Sequence, residues 1–393
     1  MSEESGADTS ATADPGLEAL RALTGRRTSV SDVPRAADIV GEVPVYDGEE
    51  VRTAVRDGRG SEAGSAAWLT EWTSVFRDGA GVLAVRGAVD DLATLDAVTA
   101  LFRRIIDEEA SAGTDHFAPA GANARVWNAH EKLAVRAPEL FCRYNANAAV
   151  ALACDAWLGP GYQVTAQVNV VRPGGAAQDP HRDYHLGFMD AATLAGYPAH
   201  VHALSACLTL QGAIAHTDMP LESGPTQLLP FSQNWPPGYA ASARADVRAH
   251  FLEHHVQLPL ERGDALFFNP ATLHAAGDNR TTDVQRMANL LQVSSPFGRA
   301  MEVVDRDRLC RAIYPALATL ARGGELDAAA VDAVVASAAE GYPFPSDLDV
   351  DRGASGLRPP SQADVLGAAL AANDSLERLG EALDAHARRT RSH

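Results

Sequence analysis

The stretch QDPHRDYHLGF places His181 and Asp183 two residues apart. In an extended chain, residues i and i+2 point to the same face, so this pair presents an imidazole and a carboxylate side by side. A lone His-x-Asp is weak evidence, because a hydrogen-bonded surface histidine reads the same way. A metal role needs a third ligand. LFFNPATLHAAGDNR supplies one in His274, just after an apolar strand and beside a turn.

Two histidines and one carboxylate on one face of an octahedral metal leave three positions open, the pattern of non-haem Fe(II) oxygenases. Arg286, in VQRMANLLQ, carries a guanidinium suited to gripping a carboxylate with two parallel hydrogen bonds. A dicarboxylic 2-oxoacid matches that arrangement, one end chelating iron and the far end meeting the arginine. Arg280 is the rival anchor. Arg286 is preferred because it lies inside an apolar strand pattern, whereas Arg280 lies in the DNRTTD turn.

The elements that must hold these residues are β-rich. From Tyr162 onward YQVTAQVNVV, ALSACLTLQGAIA, DALFFNP and VQRMANLLQVSS read as short strands split by Gly, Pro and Asn. That pattern suits a sandwich or barrel and not alternating βαβ units. Upstream, 61–77 reads as a helix with Ser61 as a possible cap, GVLAVRGAV as a strand, LATLDAVTALFRRIIDEEA as a helix begun by Asp90 and Asp91, and 131–157 as a further helix. After residue 300 the chain is helical again, ending in a surface helix over 362–391. The expectation is a disordered 1–35, a unit over 36–297 with its β core from about 160, and a helical extension over 298–393.

Four pieces carry a resemblance to the phytanoyl-CoA dioxygenase family of Fe(II)/2-oxoglutarate-dependent oxygenases: FRDGAGVLAVRGAVDD, VNVVRPGGAAQDPHRDYH, ESGPTQLLPFSQ and GDALFFNPATLHAAGDNRTTDVQR. They fall in order over roughly residues 72–297. The resemblance implies an α+β chain whose double-stranded β-helix (jelly-roll, cupin-like) core is flanked by helices at both ends. It implies His181, Asp183 and His274 as iron ligands, Arg286 as the 2-oxoglutarate anchor, and Gln167 and Asn169 as further cosubstrate contacts. Fe(II), 2-oxoglutarate and O2 follow as cofactor and cosubstrates, with succinate and CO2 released as an unactivated C–H bond is hydroxylated. Asp183 argues against halogenation, since halogenating relatives lack that carboxylate. Desaturation, ring closure and epimerisation stay open. Two departures are visible: the distal His-to-Arg spacing, and Ala276, where some relatives carry a hydroxyl.

Other candidates have plainer readings. Tyr184 and Arg182 point away from the ligand face, so packing and solvent are their default roles. His185 either lines the pocket or is structural. His254 and His255 read as a solvated or helix-end pair, and His200 and His202 as a strand edge or pocket rim. Trp127 and Trp235 are loop aromatics suited to covering a substrate or closing a core. SDLDVDRG lacks the ligand pattern of a calcium loop.

Composition excludes some partners. With 33 Lys+Arg against 51 Asp+Glu the net charge is −18, which repels phosphate backbones, so neither nucleic acid nor an anionic membrane is expected. An acyl-CoA substrate is not assumed, because no Lys/Arg cluster accompanies the motifs. A small metabolite or biosynthetic intermediate is expected instead. The four cysteines form no Cys-x-x-Cys pair and read as reduced and buried. With an acidic N-terminus unlike a signal peptide, they point to the cytoplasm. The sequence leaves the oligomeric state open. Two other readings remain: a cupin-like metal dioxygenase or isomerase without 2-oxoglutarate, against which Arg286 counts, and a non-catalytic β-helix binding module, against which the complete ligand set counts.

Overall fold

Along the segment Arg286–Ser294, side chains alternate between two environments. Arg286, Ala288, Leu290 and Gln292 line a cavity, while Met287, Leu291 and Val293 enter the apolar core beneath the helices. This period of two is the geometry of a strand with both faces covered. The structure, a computed structural model, describes residues 15–58, 64–109, 123–183, 189–344, 347, 349 and 358–391.

The strands in chain order are β1 (Asp38–Val40), β2 (Val43–Asp47), β3 (Val82–Arg86), β4 (Asn123–Val126), β5 (Gln163–Val171), β6 (Thr209–Ala215), β7 (Gln227–Leu228), β8 (Val256–Gln257), β9 (Ala265–Phe268), β10 (His274–Ala275) and β11 (Arg286–Ser294). They form an eight-stranded sheet in the order β1-β2-β3-β9-β6-β11-β5-β4 and a three-stranded sheet in the order β10-β7-β8. Only β2 and β3 pair in parallel; the other pairings among the described residues are antiparallel. Val82, Ala84, Ala213, Leu266 and Phe268 from the large sheet meet Leu228, Leu258 and Leu260 from the small-sheet side in one cluster. The double-stranded β-helix is therefore present. Helices cover the outer face of the large sheet, where Trp72, Phe76, Phe102 and Phe141 are fully buried. Each of these phenylalanines contributes about 1.5–3 kcal/mol by leaving water.

Several expectations need correction. The core is not confined to residues after 160, because β1, β2 and β3 extend one edge of the large sheet and β4 forms the opposite edge. The segment expected to be disordered folds from Pro15 onward: Pro15–Thr24 is helical and seats Leu20 beside Trp235 and Phe251. The single helix expected over 131–157 is three, Ala129–Arg136, Pro138–Asn145 and Ala148–Leu158. Pro138 starts a new helix because it cannot donate to the preceding turn, and the Asn147 side chain caps the third. The tail helix breaks at Asn373, which is left-handed, into Gln362–Ala372 and Leu376–Arg389. The early part of ALSACLTLQGAIA is helical (Ala199–Ser205), so His200 and His202 are not on a strand. Cys207 is exposed, whereas Cys142, Cys154 and Cys310 are buried, and all four are free thiols. Other expectations agree: Leu92–Glu109 is a helix with Asp91 accepting from the Thr94 amide at 2.9 Å. Ser61, Tyr184, His185 and most of SDLDVDRG lie outside the described residues.

Candidate metal centre

The segment 178–183 runs beside 270–276 as an irregular strand. The Gln178 amide donates to the Ala276 carbonyl at 2.9 Å, His181 and His274 exchange amide-to-carbonyl bonds at 3.0 Å in both directions, and the Asp183 amide donates to the Pro270 carbonyl at 3.2 Å. His274 then pairs with Leu228 through β10 and β7. Both candidate histidines are thus fixed by backbone at the edge of the small sheet, facing the large one.

Each imidazole is oriented in the same way. His181 Nδ1 donates to the Asp179 carbonyl at 2.8 Å and His274 Nδ1 to the Thr272 carbonyl at 2.9 Å, in each case two residues back. A proton on Nδ1 leaves Nε2 as the basic nitrogen. Both Nε2 atoms turn toward Asp183, His181 lying 3.7 Å from Oδ1 and His274 3.7 Å from Oδ2. The ligand atoms of the three residues lie within 4.8 Å of one another, and no other such group occurs among the described residues. Backbone carbonyls that fix the tautomer are the usual support of metal-binding histidines. The donor set and its orientation therefore fit a divalent metal of borderline softness such as Fe(II).

The charges agree with that use. Burial alone would raise the Asp183 carboxyl, but His274, His181 and a hydrogen bond from Gln211 outweigh it and hold the group down at about 2. Burial, with His274 nearby, pushes His181 below the ordinary histidine range, so its neutral, metal-binding form prevails at neutral pH.

A cavity of about 190 Å³ opens on this cluster. Arg286 lines it, 7% exposed, with Nη1 donating to the Ser223 carbonyl at 3.1 Å. Burial lowers the guanidinium to about 10, which leaves it charged at neutral pH. No carboxylate among the described residues pairs with it. Arg280 is exposed, and its amide donates to the Glu222 carbonyl away from the cavity. Gln167 and Asn169 line the same cavity from β5. Gln167 Oε1 accepts from Arg125 Nη1 at 3.1 Å, and Asn169 Oδ1 is buried with no partner among the described residues. Ala276 also lines the cavity, its amide donating to Gln178 Oε1 at 3.2 Å.

The remaining candidates sort by environment. Arg182 is buried, donates to the Ser232 carbonyl and lies over the Tyr239 ring, so packing is its role. Trp127 is 45% exposed at the cavity mouth beneath Arg125, while Trp235 is buried with Nε1 on the Gly16 carbonyl. His254 and His255 end the Ala245–His254 helix. Sequence reasoning missed Gln178, Gln211, Gln292 and Arg125. The amides in the strands had one usable signal, since Gln211 alternates with Ala213, and Gln292 with Leu290 and Ala288.

The ESGPT segment is explained by contact. Gly224 has φ +70, and a Cβ there would lie 2.3 Å from the Asp278 carbonyl oxygen. Only glycine lets the loop bearing Ser223 close against the turn that follows His274.

Residues 78–288 match the model of the phytanoyl-CoA dioxygenase (PhyH) family. Dioxygenase aneA of Aspergillus aculeatus is 30% identical over 154 residues, which span 38% of this chain and 44% of that protein, less than half its length. Among solved structures, the epimerase SnoN in complex with Fe3+, alpha ketoglutarate and nogalamycin RO is 20% identical. It covers 60% of this chain and 87% of its own, at a TM-score of 0.45. The non-heme, alpha ketoglutarate dependent carbocyclase SnoK from nogalamycin biosynthesis is 20% identical, with coverages of 61% and 89% and a TM-score of 0.41.

Proposed function

The chain belongs to the phytanoyl-CoA dioxygenase family, and from that premise we propose that it is an Fe(II)/2-oxoglutarate-dependent oxygenase that hydroxylates an unactivated C–H bond of a small metabolite or biosynthetic intermediate. His181, Asp183 and His274 would hold the iron, and Arg286 the far carboxylate of 2-oxoglutarate. Bound there, the metal with 2-oxoglutarate and O2 supplies the oxidising power for C–H cleavage, with succinate and CO2 as coproducts.

The carrying observation is the buried Arg286 guanidinium, which shares a cavity with the His/Asp/His cluster and has no carboxylate partner among the described residues. A buried charge without a counterion is costly, so the pocket favours an anionic occupant at that end. A guanidinium takes a carboxylate through two parallel bonds, which fixes the dicarboxylate in direction as well as place. Asn169 offers, on the same wall, an amide carbonyl with no partner among the described residues. Phe268, whose ring centroid is 4.8 Å from that of His274, and Leu260 and Met219 make the surroundings apolar and limit water near the cluster. At the cavity mouth, Trp127, Met301 and Arg125 form the side from which a substrate would enter and be oriented. We take 36–297 as the catalytic unit and 298–393 as its support. Arg306 Nη2 donates to the Val164 carbonyl of β5 at 3.0 Å, and Arg306 Nη1 to the Ser337 carbonyl at 3.2 Å.

The test is anaerobic addition of Fe(II) and 2-oxoglutarate to metal-free protein, watching for the weak visible charge-transfer band of the chelate. The expected result is a band in wild type and Arg280→Ala that weakens in Arg286→Ala. Iron binding without any band would sink the 2-oxoglutarate reading and promote a metal dioxygenase that does not use it.

A further inference from the structure

Gln211 lies on β6, in the interior of the large sheet, and is 3% exposed. Its Nε2 donates to Asp183 Oδ2 across the cavity. Asp183 itself follows an isolated bridge and is not inside a regular strand. Among the described residues its backbone is tied once, to Pro270, and the carboxylate plane is left to be set from elsewhere. The amide orientation follows from chemistry. Reversed, it would set a carbonyl oxygen against a carboxylate oxygen, so the NH2 group must face Asp183. Gln211 Oε1 is then buried on the cavity wall without a partner among the described residues. Gln292, its cross-strand partner, carries a second such carbonyl. The same face of β6 otherwise presents the smaller side chains Thr209, Ala213 and Ala215, so sheet packing alone has no use for a long amide here.

We propose that Gln211 is a positioning residue that ties down one oxygen of Asp183, so that the carboxylate meets the metal through its other oxygen alone. This rests on the function proposed above. An octahedral metal has six positions. Two histidines, one carboxylate oxygen and a chelating 2-oxoacid would fill five and leave one open. A carboxylate bound through both oxygens would take that last position. Gln211 thus keeps the site open by acting through Asp183.

The experiment uses Co(II) as the metal probe on metal-free full-length protein, comparing wild type, Gln211→Met, Gln211→Leu and His274→Ala. Both Gln211 variants remove the donor while keeping comparable volume. Expected are Co(II) binding weakened about 10- to 100-fold and a changed Co(II) visible spectrum, with the metal-free protein melting within a few degrees of wild type. Wild-type affinity and spectrum in either folded variant would overturn the assignment alone. Variants that both melt far below wild type would also overturn it, by showing that Gln211 serves the sheet. Wild type that binds Co(II) no better than His274→Ala would overturn the metal site itself, and this assignment with it.

Discussion

His181 and His274 are backbone partners: each amide donates to the other's carbonyl at 3.0 Å, and their ring centroids lie 4.5 Å apart. The spacing of the two candidate ligands is therefore set by a hydrogen-bonded pair of the main chain and does not depend on side-chain packing. Asp183 joins them from the same segment, so losing any one side chain should leave the frame intact and remove only a ligand.

On that basis His274→Ala should fold and fail to bind metal. Outer partners of a metal ligand are worth about 10- to 100-fold in affinity, so loss of a ligand should weaken Fe(II) binding by more than about 100-fold. Anaerobic calorimetry on metal-free protein checks this. Unaltered affinity with native melting would mean that the cluster is not the site.

Arg286→Ala should raise the 2-oxoglutarate concentration for half-saturation at least about thirtyfold, because truncating one side of a buried charge pair costs about 2–5 kcal/mol. Arg286→Lys should recover only part of this, since an ammonium cannot reproduce the two parallel bonds. Arg280→Ala should titrate like wild type. An equal effect of Arg280→Ala and Arg286→Ala would reopen the choice of anchor.

Gly224→Ala should destabilise the protein by roughly 2 kcal/mol or more. It puts a Cβ on a left-handed backbone and 2.3 Å from the Asp278 carbonyl oxygen. Because Ser223 holds Arg286 and Asp278 follows the His274 strand, 2-oxoglutarate binding should weaken as well. Chemical denaturation and the chelate band read the two effects; native stability would show that the turn yields freely.

Stability should fall in mild acid. Burial pushes His216 and His130 down to about 3, while the unfolded chain titrates its histidines near about 6.5. Between those values the unfolded state binds protons that the native state does not. The stabilisation is therefore complete above about pH 6.5 and is lost as pH falls, by about 1.4 kcal/mol per unit for each fully depressed histidine. His216 accepts from Tyr144 at 2.9 Å and donates to Thr99 at 2.7 Å through its two ring nitrogens, so protonation costs it an acceptor. Urea midpoints from pH 7.5 to 4.5 should decline more steeply in wild type than in His216→Gln. Parallel declines would assign the acid limb to other groups.

The candidate site was legible where residue type carries the chemistry. A histidine with an aspartate two residues on, a distal histidine and a strand-borne arginine are distinctive in combination, and the break at Pro138 and cap at Asn147 were also there to be read. Gln211 was not legible, because an amide between apolar neighbours has no meaning until the opposite sheet supplies a carboxylate. β1, β2 and β4 were equally hidden, and although GVLAVRGAV reads as a strand, its place beside β9 rests on long-range pairing.

By itself the sequence determined which side chains can bind metal and carboxylate, and the period-2 strand that carries Arg286, because both follow from residue chemistry and local backbone geometry. The tertiary structure alone decided that His181 and His274 pair, that Arg286 is buried beside them while Arg280 faces solvent, and that Gln211 reaches Asp183. Those relations arise from register between strands distant in the chain, and burial of a charge is a property of what surrounds it.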